Sequence, residues 1–106
     1  MTEMEDKQLT FLLIICETEF SKRVVQMMVD MDIEGFTFFH GAAGAGRSGR
    51  REDTDIWPGA NSTLFVALED EQMAPKIVEG AEEIIRTAYR KRPGFAVFKL
   101  NGTQIA

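Results

Sequence analysis

Residues 9–15, Leu-Thr-Phe-Leu-Leu-Ile-Ile, decide the fold class. The run is short, almost unbroken in apolar character and rich in residues that favour β-structure, which is typical of a strand buried on both faces. From Glu19 to Asp32 the apolar positions then follow helical spacing, with charged and amide side chains on the other side. A buried strand followed by an amphipathic helix predicts a domain that mixes both kinds of secondary structure.

The rest of the chain extends this pattern. Residues 35–40 are aromatic and β-branched and predict a second strand that stops at Gly41, and residues 64–68 predict a third, buried strand. A second amphipathic helix follows, and it must begin near Gln72 or Met73, because Pro75 fits only in a first helical turn. Its apolar face runs to Ala88.

Residues 95–100 predict the fourth strand, after Pro93-Gly94 has stopped the second helix. The order is then β-α-β-β-α-β, an α+β, ferredoxin-like sandwich with a four-stranded antiparallel sheet and both helices on one face. Because three of the strands are apolar on both sides, we expect the other face to be covered by another copy of the chain. Residues 1–106 are expected to form one domain.

Composition excludes several classes of protein. The 106 residues are 44% hydrophobic and 27% charged, as in ordinary globular chains, and the net charge of −5 argues against binding to nucleic acid. One cysteine permits no disulfide within the chain. The apolar run near the N-terminus is too short for a membrane span and has no cleavage signal, so a cytoplasmic protein without membrane insertion is expected.

Residues 41–60, between the second and third strands, hold glycines, arginines and acids without periodicity and predict a long loop. Loops of this length in compact domains usually have a function. Glycine amides beside arginines form anion sites, so the loop base predicts binding of phosphate or carboxylate. The candidates there are Gly41, Gly44, Gly46, Arg47, Ser48, Gly49 and Arg50. The alternative is a flexible loop in which the arginines pair with Glu52, Asp53 and Asp55.

A second basic group, Arg90, Lys91 and Arg92, lies just before the last strand. It would compensate the dipole of the preceding helix, or it would bind the same anion as the 41–60 loop across an oligomer contact, which favours a trimer. At the tip of the loop, Trp57 with the nearby Arg51 is a candidate anchor for a partner protein. Alternatively, Trp57 packs back on the sheet.

No Ser-His-Asp set, Cys-His pair or pair of carboxylates is apparent, so we expect no enzymatic activity. His40 is the only histidine, and the lone Cys16 ends an apolar run. A core thiol and a histidine with one hydrogen bond are the ordinary interpretations of these two residues.

Three stretches resemble the PII signalling superfamily: Gly35-Phe36-Thr37, the segment Gly44–Gly49, and Leu68–Met73. The resemblance implies a homotrimer that binds a small effector, an adenine nucleotide such as ATP or ADP, in the clefts between subunits. It also implies that the 41–60 loop docks on a regulated partner protein, for example a membrane transporter. Gly44, Gly46, Arg47 and Gly49 match the family's phosphate-binding positions.

The sequence departs from this family at several places, which identifies it as a divergent member. Ser48 stands where the family usually has glutamine, and Arg90–Gly94 replaces the usual Gly-Asp-Gly-Lys. The sequence also ends soon after the fourth predicted strand, without the C-terminal strand of the nitrogen-regulatory members. The divalent-cation-tolerance proteins share the fold. A metal-binding trimer with His40, Cys16 or loop acids as ligands is therefore the alternative function.

Overall fold

The computed structural model describes residues 6–42, 44–46, 49–51, 61–87 and 94–106. The elements, in chain order, are β1 (Lys7–Glu17), α1 (Thr18–Asp30), β2 (Phe36–Ala42), β3 (Gly44–Gly46), β4 (Gly49–Arg51), β5 (Asn61–Leu68), α2 (Met73–Ile85) and β6 (Phe95–Gln104). Four strands form one sheet in the order β2-β5-β1-β6, and every neighbouring pair is antiparallel. The predicted α+β, ferredoxin-like fold is confirmed.

The hydrophobic core lies between this sheet and the two helices. Side chains alternate between the faces of a strand, and Leu12, Ile14 and Cys16 of β1 are fully buried against the helices. The other core side chains come from β5 and both helices: Leu64, Val66, Leu68, Phe20, Val24, Met28, Ala74, Ile77 and Ile85. Pro75 lies in the first turn of α2, as the sequence predicted.

The opposite side of the sheet carries large apolar side chains that the described residues leave exposed. We call this surface the open face and define it by Phe11, Phe39, Phe65, Phe98 and Leu100. The last four are between 39% and 54% exposed, and the Phe11 and Phe65 rings stack with centroids 5.2 Å apart.

Both helices end earlier than the apolar periodicity indicated. α1 ends at Asp30, and the chain turns at Asp32, whose φ of 58° allows the Ile33 amide to bind the Met28 carbonyl at 2.9 Å. α2 ends at Ile85 rather than reaching Ala88. Among the described residues, neither helix has the length and hydrophobicity of a membrane-spanning segment.

The prediction that residues 41–60 lack regular structure is wrong at the base of this segment. β2 continues through Gly41 to Ala42, with an irregular register against β5 after Phe39. The short strands β3 and β4 then pair in a separate two-stranded sheet. Backbone pairing of this kind needs no apolar side chains, so hydrophobic periodicity did not indicate it.

Candidate anion-binding end of the sheet

The two segments with clustered basic residues join the main sheet at the same end. Asn61, the first residue of β5, lies opposite Glu17 of β1 on one side and Ala42 of β2 on the other. Gly94, which precedes β6, exchanges hydrogen bonds with Glu17. We call the row Ala42–Asn61–Glu17–Gly94 the last rung. Residues 43–60 connect two of its members, and residues 88–93 lead into a third.

Several of the predicted anion-binding residues lie in β2 or in the short strands that follow it in the chain. Gly41 belongs to β2, Gly44 and Gly46 to β3, and Gly49 and Arg50 to β4. Register brings Gly46 opposite Gly49, and Ala45 opposite Arg50. The structure thereby brings together the backbone of the glycine-rich segment.

The partner-binding candidate Arg51 is also in β4, opposite Gly44. The other predicted site residues lie outside the described part of the chain: Arg47, Ser48, Trp57, Arg90, Lys91 and Arg92.

Gly41 is where β2 becomes irregular near its end. Its φ is 77°, in the left-handed region that side chains with a Cβ rarely adopt. The irregular register between Phe39 and Ala42 falls at the same place. Gly41 therefore lets the end of β2 turn towards the β3–β4 hairpin while Ala42 still pairs with Asn61.

Glu17 is a functional candidate that sequence reasoning missed. It is fully buried, its Oε2 accepts a hydrogen bond of 2.6 Å from the Gly94 amide, and its own amide donates to the Gly94 carbonyl at 3.1 Å. The only sequence signal is an acid between an apolar strand and a helix, which is also the usual signal of a helix cap. The Glu17 side chain makes no capping bond to α1.

Hydroxyl groups join α1 to β5 beside Glu17. Thr18 Oγ1 and Ser62 Oγ are 3.1 Å apart, and Ser21 Oγ donates to the Thr18 carbonyl at 2.7 Å. Ser21 and Ser62 are buried, so these bonds are shielded from water. The start of α1 is thereby fixed against the first residues of β5, where the chain returns from the 41–60 segment.

Arg23 of α1 contacts the other end of the 88–93 connection. Its guanidinium donates to Thr87 Oγ1 at 2.5 Å and to the Ile84 carbonyl at 3.3 Å. Thr87 Oγ1 also donates to the Ile84 carbonyl, at 2.6 Å. These bonds supply the end of α2 with partners and account for its stop before Ala88. Residues 17–23 therefore hold both Thr87 and Gly94.

Cys16 and His40 have unlike surroundings. Burial, and secondarily the negative charge of Glu17, raises the pKa of the Cys16 thiol to about 11, which makes it a poor metal ligand at neutral pH. His40 is exposed and stacks on Phe38 with the ring centroids 6.1 Å apart. Among the residues that the structure describes, no three or more His, Cys, Asp or Glu side chains are arranged to hold a metal ion.

Solved structures of proteins from two bacteria have the same fold. CPII, a nitrogen regulatory PII-like protein from Thiomonas intermedia K12 bound to ADP, AMP and bicarbonate, is 17% identical, with a TM-score of 0.76 over 96% of this chain and 92% of its own. A PII-like signaling protein from Thermus thermophilus is 20% identical, with a TM-score of 0.67 over 96% and 94% of the two chains. No curated protein sequence gives a significant match.

The family model for nitrogen regulatory protein P-II matches residues 9–102, which include the whole main sheet except its outermost residues. This match covers both helices and both connections that reach the last rung. The chain belongs to the P-II family of regulatory proteins.

Proposed function

We propose that this chain is the single-domain subunit of a cytoplasmic homotrimer that senses an adenine nucleotide and is not an enzyme. The nucleotide binds in the clefts between subunits, and the 41–60 segment then controls a partner protein. The observation that carries the proposal is the last rung, because the two segments with clustered basic residues both reach the sheet there.

The chemistry of these segments suits a phosphate group. Arg47 and Arg50, with Arg90, Lys91 and Arg92, supply positive charge in a chain whose net charge is −5. Gly41, Gly44, Gly46 and Gly49 allow backbone amides to approach an anion, and the Ser48 hydroxyl is a further donor. Charge-assisted hydrogen bonds of this kind are stronger than those between neutral groups.

An adenine nucleotide is the preferred ligand because CPII, which has the same fold, has been solved with ADP and AMP. Bicarbonate in the same CPII structure makes it a second ligand to test. The identity of 17% is too low for residues to be carried over, so the proposal for this chain stands on its own glycines and basic residues.

The open face supports the homotrimer. Phe39, Phe65, Phe98 and Leu100 form an exposed apolar surface on the side of the sheet that the helices leave uncovered. Contiguous apolar surface of this kind marks a protein interface. Packing of three sheets through their open faces would remove these side chains from water.

Control of a partner follows from the position of Trp57 and Arg51 in the 41–60 segment. A tryptophan contributes much of the binding energy at many interfaces. Nucleotide binding shifts the segment between two states by its difference in affinity for them, and a few kcal/mol is enough for a switch. A membrane transporter is the partner that we would test first.

Calorimetry tests nucleotide binding. ATP, ADP, AMP and cyclic AMP, with and without bicarbonate, are titrated into the wild type, Arg47→Ala and the control Arg86→Ala, which removes an exposed arginine that pairs with Glu83 on α2. We expect Arg47→Ala to weaken binding about 10- to 100-fold, as for a lost charge-assisted hydrogen bond, and Arg86→Ala to bind as the wild type does.

No binding of any of these nucleotides to the wild type would contradict the proposal. Metal analysis of the purified protein distinguishes nucleotide sensing from the alternative, a divalent-metal-binding trimer. For that alternative, a stoichiometric metal ion is expected.

A further inference from the structure

Glu17 and Gly94 are joined twice. The Gly94 amide donates to Glu17 Oε2, and the Glu17 amide donates to the Gly94 carbonyl, so both polar groups of the Gly94 backbone bind one residue 77 positions earlier. The carboxylate bond is 2.6 Å long, short for a bond from an amide donor to oxygen. This pair fixes the point at which the connection from Thr87 reaches the sheet.

Burial of this carboxylate needs compensation. A fully buried charge is costly unless it is hydrogen-bonded, and Glu17 is 0% exposed. Its place at the start of α1 provides part of the compensation, because the positive end of a helix dipole favours a negative charge. The Gly94 amide provides another part. Capping of α1 does not explain the residue, since its side chain makes no capping hydrogen bond to that helix.

The length of the Glu17 side chain suits its hydrogen bond to the Gly94 amide. Glu17 is the last residue of β1, and its backbone already bonds Gly94 in the sheet, while the carboxylate returns to the amide of the same residue. Aspartate is one methylene shorter and would not reach that amide from the same backbone position. Glutamine has the same length and keeps an oxygen that accepts a hydrogen bond.

We propose that Glu17 is a positioning residue for the effector site: the reach of its side chain to Gly94 sets where the connection from α2 joins the sheet, and thereby the affinity for nucleotide. This inference rests on the proposed function. It adds a residue that touches no ligand and acts through Gly94.

The test compares Glu17→Asp with Glu17→Gln, using Glu79→Asp on the exposed side of α2 as a control. Hydrogen exchange of the Gly94 amide and calorimetry with ADP are the two measurements. We expect Glu17→Asp to speed exchange at Gly94 at least tenfold and to weaken ADP binding at least fivefold. Glu17→Gln keeps both values within threefold of the wild type, and Glu79→Asp changes neither.

A second measurement needs only the wild type, in case Glu17→Asp does not fold. Saturating ADP is expected to slow exchange of the Gly94 amide at least fivefold, and to leave the amide of Gly102, near the far end of β6, unchanged. An effect of ADP that is equal at both amides, or absent, would overturn the inference.

The outcomes also separate this inference from the proposed function. If neither ADP nor any of the other adenine nucleotides binds the wild type, the proposed function itself is contradicted. ADP that binds the wild type and Glu17→Asp equally well contradicts only the role of Glu17. Equal weakening in Glu17→Asp and Glu17→Gln would assign the effect to charge and overturn the argument from side-chain length.

Discussion

Gly35 and Ala67 approach each other so closely that residue 35 has no room for a side chain. The Gly35 carbonyl accepts the Ala67 amide at 2.6 Å, and a Cβ built on Gly35 would lie 2.9 Å from the Ala67 carbonyl oxygen. That oxygen belongs to the backbone of β5, which cannot move without disturbing its pairing with β1. The contact therefore fixes the entry into β2 against β5.

Gly35→Ala is expected to destabilise the protein by about 1–3 kcal/mol, the usual cost of overpacking a tight contact. Urea unfolding measures this change. Gly80→Ala is the matched control, because a Cβ there would overlap Sδ of Met27, a flexible side chain that can move aside. Alanine is also the better helix former, by about 1 kcal/mol. Equal stability of the two variants would show that the β5 backbone can shift at Ala67 to make room for a Cβ at residue 35.

Arg23 and Thr87 are expected to stabilise the contact between α1 and α2 jointly. A double-mutant cycle with Arg23→Ala and Thr87→Val should give a coupling of about 0.5–1 kcal/mol in urea unfolding, the range for an exposed charged contact. Lys22→Ala removes a neighbouring exposed cation and should show no coupling to Thr87→Val. If Lys22→Ala couples to Thr87→Val equally strongly, the coupling comes from positive charge on this part of α1 and not from the hydrogen bond of Arg23.

Because the Cys16 thiol is buried, we expect the protein to lose stability at alkaline pH. Burial raises the pKa of its thiol from 9.0 to about 11 in the folded chain, so the unfolded chain loses this proton first as the pH rises. The contribution of the protonated Cys16 thiol to the free energy of unfolding is therefore intact below pH 9. It falls by about 2–3 kcal/mol as the pH approaches 11. The stability difference between the wild type and Cys16→Ala, measured in urea with reductant, should shrink over this range. A difference that is constant with pH would contradict the prediction.

Sequence periodicity located the elements of the main sheet because their buried residues are apolar, as in Leu12 and Ile14 of β1. It placed the ends of strands less well. β1 begins at Lys7 rather than Leu9, because Lys7 and Gln8 pair with Gln104 and Thr103 of β6, and polar cross-strand partners leave no apolar pattern.

Local composition predicted only one part of the candidate site. Glycines and arginines marked the 41–60 segment, but Glu17 looked like any acid at the start of a helix. Its partner Gly94 is 77 residues away and becomes a neighbour only when β1 and β6 pair. The sign of such a residue is a charge at the end of a buried strand, and many exposed acids share that sign.

The open face gives the sharpest test of the assembly. Phe98 and Val29 are nearly equally exposed in the single chain, at 53% and 50%, but Phe98 lies on the open face and Val29 on α1. Glutamate at either position should leave the isolated subunit folded. At an interface formed by the open face, Phe98→Glu would bury an unpaired charge, which is strongly unfavourable.

Light scattering coupled to size-exclusion chromatography measures the result. The wild type and Val29→Glu are expected at three times the 11.9 kDa mass of the chain, and Phe98→Glu at the mass of one chain. Circular dichroism of Phe98→Glu confirms that the subunit is folded. A trimer that survives in Phe98→Glu and separates in Val29→Glu would place the interface on the helices. Because nucleotide is proposed to bind between subunits, a monomeric Phe98→Glu should also lose ADP binding, although the substitution is remote from Arg47 in sequence.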